Sequence, residues 1–535
     1  LGGKVLCAVS AAVLLLQSCV KVNSTLGEDY IATNQQYDTY IVDISIDDIK
    51  MQQSEDLDGY SMYKFAFGAV RDPLFGLTTR SSAFTLVPIA DTLDFGKAGT
   101  RTYKGFHFSA VKDTVSTRDD SQERILQNVY VYELKDSLRT TYNHPDITYY
   151  EDLITNGVPV YDGSDSLSFD FSRAFGEKFM TITQAELDSL PMYRVRFPGI
   201  YITTDEPAGY GGRINLFKHP LDVQDGYIYG STAELKFSAE YEDRGVIDTS
   251  FTFYLGPYKK YDFEDVTATT PSTYPQMAYN RLTHESSYLE GDAGDVIYFE
   301  GGNGIKPVIK AKSLRSKVIE AISKYGDPDD AIINLATITL SYEEPQDMDD
   351  YLALEKFPTT MSPTCRIQYN DTTVTYAGLT DASVSTEDQG DINRSLNRYT
   401  PDITHHIQQM IALDDDYEKI DNYDIWFLAL HDEVVSTSSS SSSSSEMAEY
   451  YQQLAYSSYY SSMYGYGGYG SYGSSYSNYY NYLMLASMYS SSSTSESTQS
   501  LLDFLRYYNC TLKGPSNSDT ENRPTITVVF SLPKE

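Results

Sequence analysis

The chain has 535 residues, enough for two or three cores at the usual domain size of about 100 to 200 residues. Its 75 Asp and Glu outnumber 40 Lys and Arg, and the net charge of −35 repels phosphate backbones unless a local basic patch exists. The cluster Lys310, Lys312, Arg315 and Lys317 falls in an amphipathic stretch and reads as a solvated helix face, so nucleic-acid binding is excluded.

The first element is an N-terminal apolar run, Val5 to Leu16, behind the single positive charge of Lys4. It is shorter than the roughly 18 apolar residues of a spanning helix, and it closes on Ser18-Cys19. This junction resembles a bacterial lipoprotein signal with its lipobox. The resemblance implies removal of residues 1–18, a diacylglycerol thioether on Cys19 and a fatty-acyl chain such as palmitate on its amine. Each buried methylene contributes about 0.8 kcal/mol and stable anchoring takes two chains, so a multiply acylated cysteine holds a protein on a membrane. Residues 19–36 are polar and aperiodic, as a flexible tether would be.

Period-2 alternation begins at Tyr40, Val42, Ile44 and Ile46, which predicts a strand with one buried face. Similar short segments follow at 63–67, 82–87, 129–134, 193–197, 233–239, 249–255, 336–342, 424–430 and 525–532. They favour β-branched and aromatic side chains, and Gly, Asp and Asn turns separate them, which predicts β-sandwiches. Three helices are expected. One runs from Thr183 to Leu190, stopped by Pro191; one spans Leu314 to Ser323; one is capped by Thr400, with Ile403, Ile407, Met410 and Ile411 on its buried stripe. A polar, Thr-rich stretch around Pro257, Pro271 and Pro275 is the expected domain boundary. Between 436 and 500 lies low-complexity sequence: eight serines, Ser438 to Ser445, then fourteen tyrosines among Ser, Gly, Met and Asn without a charge from 450 to 495.

The expected fold class is therefore all-β: two antiparallel, jelly-roll-like β-sandwich domains at 37–256 and 276–535, with a few short covering helices. The second is interrupted by a disordered Ser/Tyr/Gly-rich insertion at 436–500.

Side chains for chemistry are few. Cys365 and Cys510 are the thiols left after the signal region, both in strand-like segments, and in an oxidising envelope they could pair or stay as buried free thiols. His405 and His406 are adjacent on a predicted helix and point about 100° apart, which prevents simple sharing of a metal. Asp414, Asp415, Asp416, Glu418 and Asp421 lack calcium-loop spacing and read as a solvated acidic loop. Gly209-Tyr210-Gly211-Gly212 has no following helix or lysine and reads as a flexible loop rather than a phosphate cradle. Neither G-x-S-x-G nor H-E-x-x-H occurs, so no catalytic residue, cofactor or metal is assigned.

Four strings carry a wider resemblance. Ala69-Val70-Arg71-Asp72-Pro73-Leu74-Phe75-Gly76-Leu77-Thr78-Thr79-Arg80 resembles the "DP-x-FG" signature of a family of Bacteroidota envelope lipoproteins, domain of unknown function 4270. Phe197-Pro198-Gly199-Ile200-Tyr201-Ile202 is similar to its aromatic-Gly-aliphatic strand, and Tyr288-Leu289-Glu290-Gly291 to its "YLQG" element. Leu512-Lys513-Gly514 with Arg523-Pro524 resembles its closing pair of strands. The resemblance implies class and location, a lipoprotein anchored at the outer membrane, and leaves the activity open; the sandwich pattern, the aromatic content and the lack of a catalytic constellation point to a non-catalytic binding or scaffold module. Its expected partners are the membrane, through the lipid, and a glycan or envelope protein. The alternatives are a glycan-active hydrolase with dispersed acids or an accessory subunit of an outer-membrane assembly complex.

Overall fold

A computed structural model describes residues 36–534 except 55–56, 58, 62–63, 91, 139–146, 220–221, 225–226, 257–277, 371–372, 380–389, 415–416, 418 and 438–494. Cys19, the tether before Gln36, the proline-rich boundary and most of the insertion lie outside these residues. Strands make up 50% and helices 17%, and every strand pairing is antiparallel, so the protein is all-β. Among the described residues no helix is long and apolar enough to cross a membrane.

The expected first strand forms β1, Tyr37–Ser45, with Ile44 buried and Ile41 68% exposed, as alternation requires. The strands that position the features below are β2 Ile49–Gln53, β3 Lys64–Asp72, β4 Gly76–Pro88, β5 Thr102–Thr117, β6 Tyr130–Leu134 and β7 Tyr149–Leu153. They continue with β8 Ile200–Thr203, β9 Gly211–Lys218, β10 Thr232–Tyr241, β11 Gly245–Gly256, β12 Ala278–His284, β13 Val296–Glu300 and β14 Ile305–Ile309. The last are β15 Ile332–Ser341, β16 Thr360–Asn370, β17 Ile425–Thr437, β18 Ser495–Leu502, β19 Asn509–Lys513 and β20 Thr525–Pro533.

The division at 256–276 does not hold. β1 pairs with β20 over nine residues, from Tyr37↔Pro533 to Ser45↔Thr525, and β2 pairs with β14. β12, beyond the predicted boundary, pairs with β4 through Tyr279↔Ala83 and Leu282↔Arg80. The chain thus starts the second body with residues 37–53, builds the first with 59–284, and returns to complete the second. Periodicity reveals that a segment is a strand; which strand it joins depends on faces matched far apart in sequence.

In the first body the path β11–β10–β5–β9–β3–β4 returns to β11 through Leu255↔Leu86, so six strands close a ring. Its interior is packed with phenylalanines: Phe65 and Phe217 stack at 5.0 Å, and Phe106 meets Phe253 at 5.4 Å. The second body packs a five-stranded sheet containing β1, β20 and β15 against a seven-stranded sheet containing β2, β14, β17 and β16. Over Ile425 to Leu430, β17 is buried on both faces. Ile425, Phe427 and Ala429 point to the sandwich core, whereas Trp426 and Leu428 join Ala66, Val70, Ile214 and Leu216 of the first body.

The helices differ in detail from expectation. Thr183 does start a helix, α1, Gln184–Leu187, through a capping box with Glu186, a motif that contributes about 1 kcal/mol. Pro191, expected to stop it, sits in the first turn of a new helix, α2, Leu190–Arg196, where no backbone N–H is needed. The predicted strand 193–197 is therefore helical: Tyr193 and Phe197 share one buried face, their rings 4.8 Å apart, while Val195 is 81% exposed. α3, Ala311–Ile322, covers the sandwich end beside α4, Thr404–Ile411. Asp402, not Thr400, accepts the Thr404 N–H at 2.8 Å, and Ile403, Ile407, Met410 and Ile411 are buried as expected.

The insertion is carried by β17 and β18, which pair from Thr437↔Ser495 to Leu430↔Leu502. Its return strand is 495–502, and residues 438–494 lie outside the described structure.

Candidate functional site

Most sequence-predicted positions have structural duties. Asp72 accepts the Leu74 and Phe75 N–H groups at 2.7 and 3.1 Å, and Gly76 has φ +74°, so the DP-x-FG string is a tight turn. Tyr288 of the third string donates its hydroxyl to Leu74 O on that turn. Gly211 and Gly212, read as a flexible loop, instead open β9 opposite Arg71 and Val70; a Cβ at Gly212 would lie 2.2 Å from Ala69 O. Of the basic cluster, Lys310 pairs with Asp424, Lys317 with Asp47, and Arg315 donates to Met410 O at 3.0 Å and to Leu413 O. Asp415, Asp416 and Glu418 are outside the described residues, among which no group of three His, Cys, Asp or Glu side chains could hold a metal.

Cys365 and Cys510 are both buried free thiols, so the disulfide alternative is not adopted. Cys365 on β16 faces His406 of α4, Sγ to Nδ1 4.0 Å, and the other ring nitrogen of His406 donates to Tyr423 O at 3.0 Å. Nδ1 is then the acceptor and the thiol keeps its proton. Burial pushes the thiol well above its ordinary range and lowers His406 to about 4, the reverse of what makes a thiolate nucleophile. His405 is exposed on the neighbouring face.

Two arrangements were not anticipated. The first is a sealed polar cluster between the bodies. Glu300, at the end of β13, is 0% exposed and accepts from His284 Nδ1 at 2.8 Å, Thr78 Oγ1 at 2.6 Å and Ser286 Oγ at 2.5 Å. His284 Nε2 accepts from Arg80 at 3.0 Å, and Arg80 also donates to Leu505 O at 3.0 Å. Lys306 of β14 donates to Gly302 O at 2.8 Å, to Gly304 O at 3.2 Å and to Glu300 O. Burial lowers His284 to about 4, so the ring is neutral with its proton on Nδ1. Burial alone would raise the Glu300 carboxyl, but the bonds from His284, Ser286 and Thr78 outweigh it and hold the group ionised. Burial also brings Lys306 down to about 7, while Glu300 favours its charged form.

A carboxylate-oriented histidine is part of a nucleophilic triad, but the geometry here serves another end. The hydroxyls of Thr78 and Ser286 donate to Glu300, and Arg80 occupies Nε2 where a nucleophile would have to sit. The cluster fastens β4 and β12 of the first body to β13 and the 503–508 loop of the second. That loop makes further cross-body contacts, Tyr507 N to Ser116 Oγ at 2.9 Å and Arg506 to Asp113 at 3.9 Å. The available signal was the alternation Thr78, Arg80, Ser82 inside an otherwise strand-like apolar segment.

The second arrangement is a tyrosine face on β6 to β8 in which Tyr130, Tyr132 and Tyr149 are partly exposed and Tyr201 is buried beneath them. Tyr130 and Tyr132 project from one face of β6, with Tyr201 of β8 opposite Tyr132 and Tyr149 of β7 opposite Leu134. Centroids are 6.5 Å apart for Tyr130–Tyr132, 4.9 Å for Tyr132–Tyr149 and 4.9 Å for Tyr149–Tyr201, with ring planes within 30°. Beyond Tyr130, exposed Asp205 accepts from the Tyr130 hydroxyl at 2.9 Å and from Asn128 Nδ2 at 2.7 Å, both through Oδ2. Val160, 55% exposed, pairs opposite Asn128 and extends the face. The opposite face of β6 is core: Val131 is fully buried among the phenylalanines. No protein-family model, curated protein or solved structure matches this chain.

Proposed function

We propose that the protein is a lipid-anchored outer-membrane lipoprotein that works as a non-catalytic binding module. The observation that carries the anchor is the junction at Ser18-Cys19: an apolar run too short to span, a cysteine at its boundary, and a polar stretch leading to β1. Support for binding rather than catalysis comes from where the side chains lie. The histidines and cysteines with perturbed acidity are buried, whereas the partly exposed tyrosines of β6 and β7 lie beside the exposed Asp205 and Asn128.

Fractionation and metabolic palmitate labelling of cells carrying Cys19→Ser test the anchor. The expected result is loss of label and release of protein from the membrane fraction, or an uncleaved precursor. Normal processing with retained label and membrane association refutes it. Steady turnover of a reporter glycoside by the purified protein would overturn the non-catalytic part.

A further inference from the structure

We propose that the tyrosine face of β6 to β8 is a binding site for a neutral oligosaccharide, a reading that rests on, and sharpens, the binding function above. A pyranose has apolar C–H faces and a rim of hydroxyls, so its receptors combine aromatic rings with placed hydrogen-bond acceptors. Both are present in register: Tyr130, Tyr132 and Tyr149 supply rings with near-parallel planes, and Asp205 and Asn128 supply the polar end.

The polar end is prearranged. Asp205 Oδ2 is oriented by two neutral donors, Tyr130 and Asn128, and no ion pair neutralises the carboxylate among the described residues. Its remaining acceptor capacity suits sugar hydroxyls, which make charge-assisted bonds to an ionised carboxylate. The ligand class follows from charge. A chain of net charge −35 with an uncompensated carboxylate in the site disfavours uronate or phosphate polymers and selects neutral ones. The rings are cheap to order on binding, because β6, β7 and β8 already hold them in a paired sheet and tyrosine has few rotamers to lose.

The test uses the full mature protein in detergent on an array of neutral hexasaccharides of glucose, xylose, mannose and galactose, with polygalacturonate as the anionic comparison, followed by calorimetry on the best probe. At least one neutral hexasaccharide should bind, and Tyr132→Ala and Asp205→Ala should each weaken it about ten-fold or more, a loss of roughly 1.4 kcal/mol. Asn128→Ala, at an exposed position, provides a variant whose folding is not at stake and should weaken binding in the same direction. Binding to no neutral hexasaccharide, binding to polygalacturonate alone, or affinity unmoved by Asp205→Ala and Asn128→Ala would overturn the proposal, as would a protein ligand as the sole occupant of this face. These readouts are independent of the Cys19→Ser fractionation. Cleavage of a bound hexasaccharide would defeat the non-catalytic reading while leaving the site in place.

Discussion

Glu300 and His284 meet at 2.8 Å across the junction of the two bodies, the carboxylate at the end of β13 and the imidazole at the end of β12. Both side chains are fully buried, so the bond exists only when the bodies are docked. Glu300→Gln should cost about 3 kcal/mol, because it removes the buried charge that accepts from His284, Thr78 and Ser286 and favours the charged form of Lys306. Urea unfolding followed by tryptophan emission reports it through Trp426, whose ring lies in the shared core. A change below about 0.5 kcal/mol would show that the cluster does not hold the bodies together.

Stability should fall as pH drops from about 6.5 to 4. His284 and His406 are both lowered to about 4, so the unfolded chain binds more protons across that window. Their contribution is complete above the unfolded value of 6.5 and is lost on the way down, about 3 kcal/mol for each ring. His406→Gln should flatten part of this slope, measured as melting temperature against pH. An unchanged slope would contradict the burial assigned to that ring.

Both thiols should be inert in the folded protein. A soluble form beginning after Cys19 should give no colour with a disulfide thiol reagent in buffer, and two equivalents in guanidinium, since Cys365 and Cys510 are buried and unbridged. A mass lower by two hydrogen atoms under non-reducing conditions would instead show that they pair.

Gly199→Ala should destabilise by at least about 2 kcal/mol. Its φ is +129°, and an added Cβ would lie 2.4 Å from Phe84 O on the neighbouring strand β4. Gly105→Ala in β5, where nothing lies within 4 Å of the new atom, should stay within about 0.5 kcal/mol. Equal melting temperatures for the two variants would remove the steric argument.

Local rules were enough wherever the deciding interaction lay within a few residues. Alternation in 40–46 gave a strand with Ile41 outside and Ile44 inside, Asp72-Pro73 gave its turn, and the stripe Ile403, Ile407, Met410 and Ile411 gave a buried helix face. The same rules misread 193–197, because Tyr193, Val195 and Phe197 satisfy a period of two as well as Tyr193 and Phe197 satisfy one turn of helix, and only packing against Leu86 chooses between them. Pairing partners were beyond reach for a related reason. β1 could join any strand with a matching apolar face, and its bond to β20 spans nearly the whole chain. Composition and periodicity thus determined an acidic, all-β protein with short helices and an insertion between strands. Tertiary structure alone decided that the N-terminal strands complete the C-terminal sandwich, that Arg80, His284, Glu300 and Lys306 converge in one sealed cluster, and that Tyr130, Tyr132, Tyr149 and Tyr201 form one face, because sheet register brings together residues whose separation in sequence carries no energetic signature of their contact.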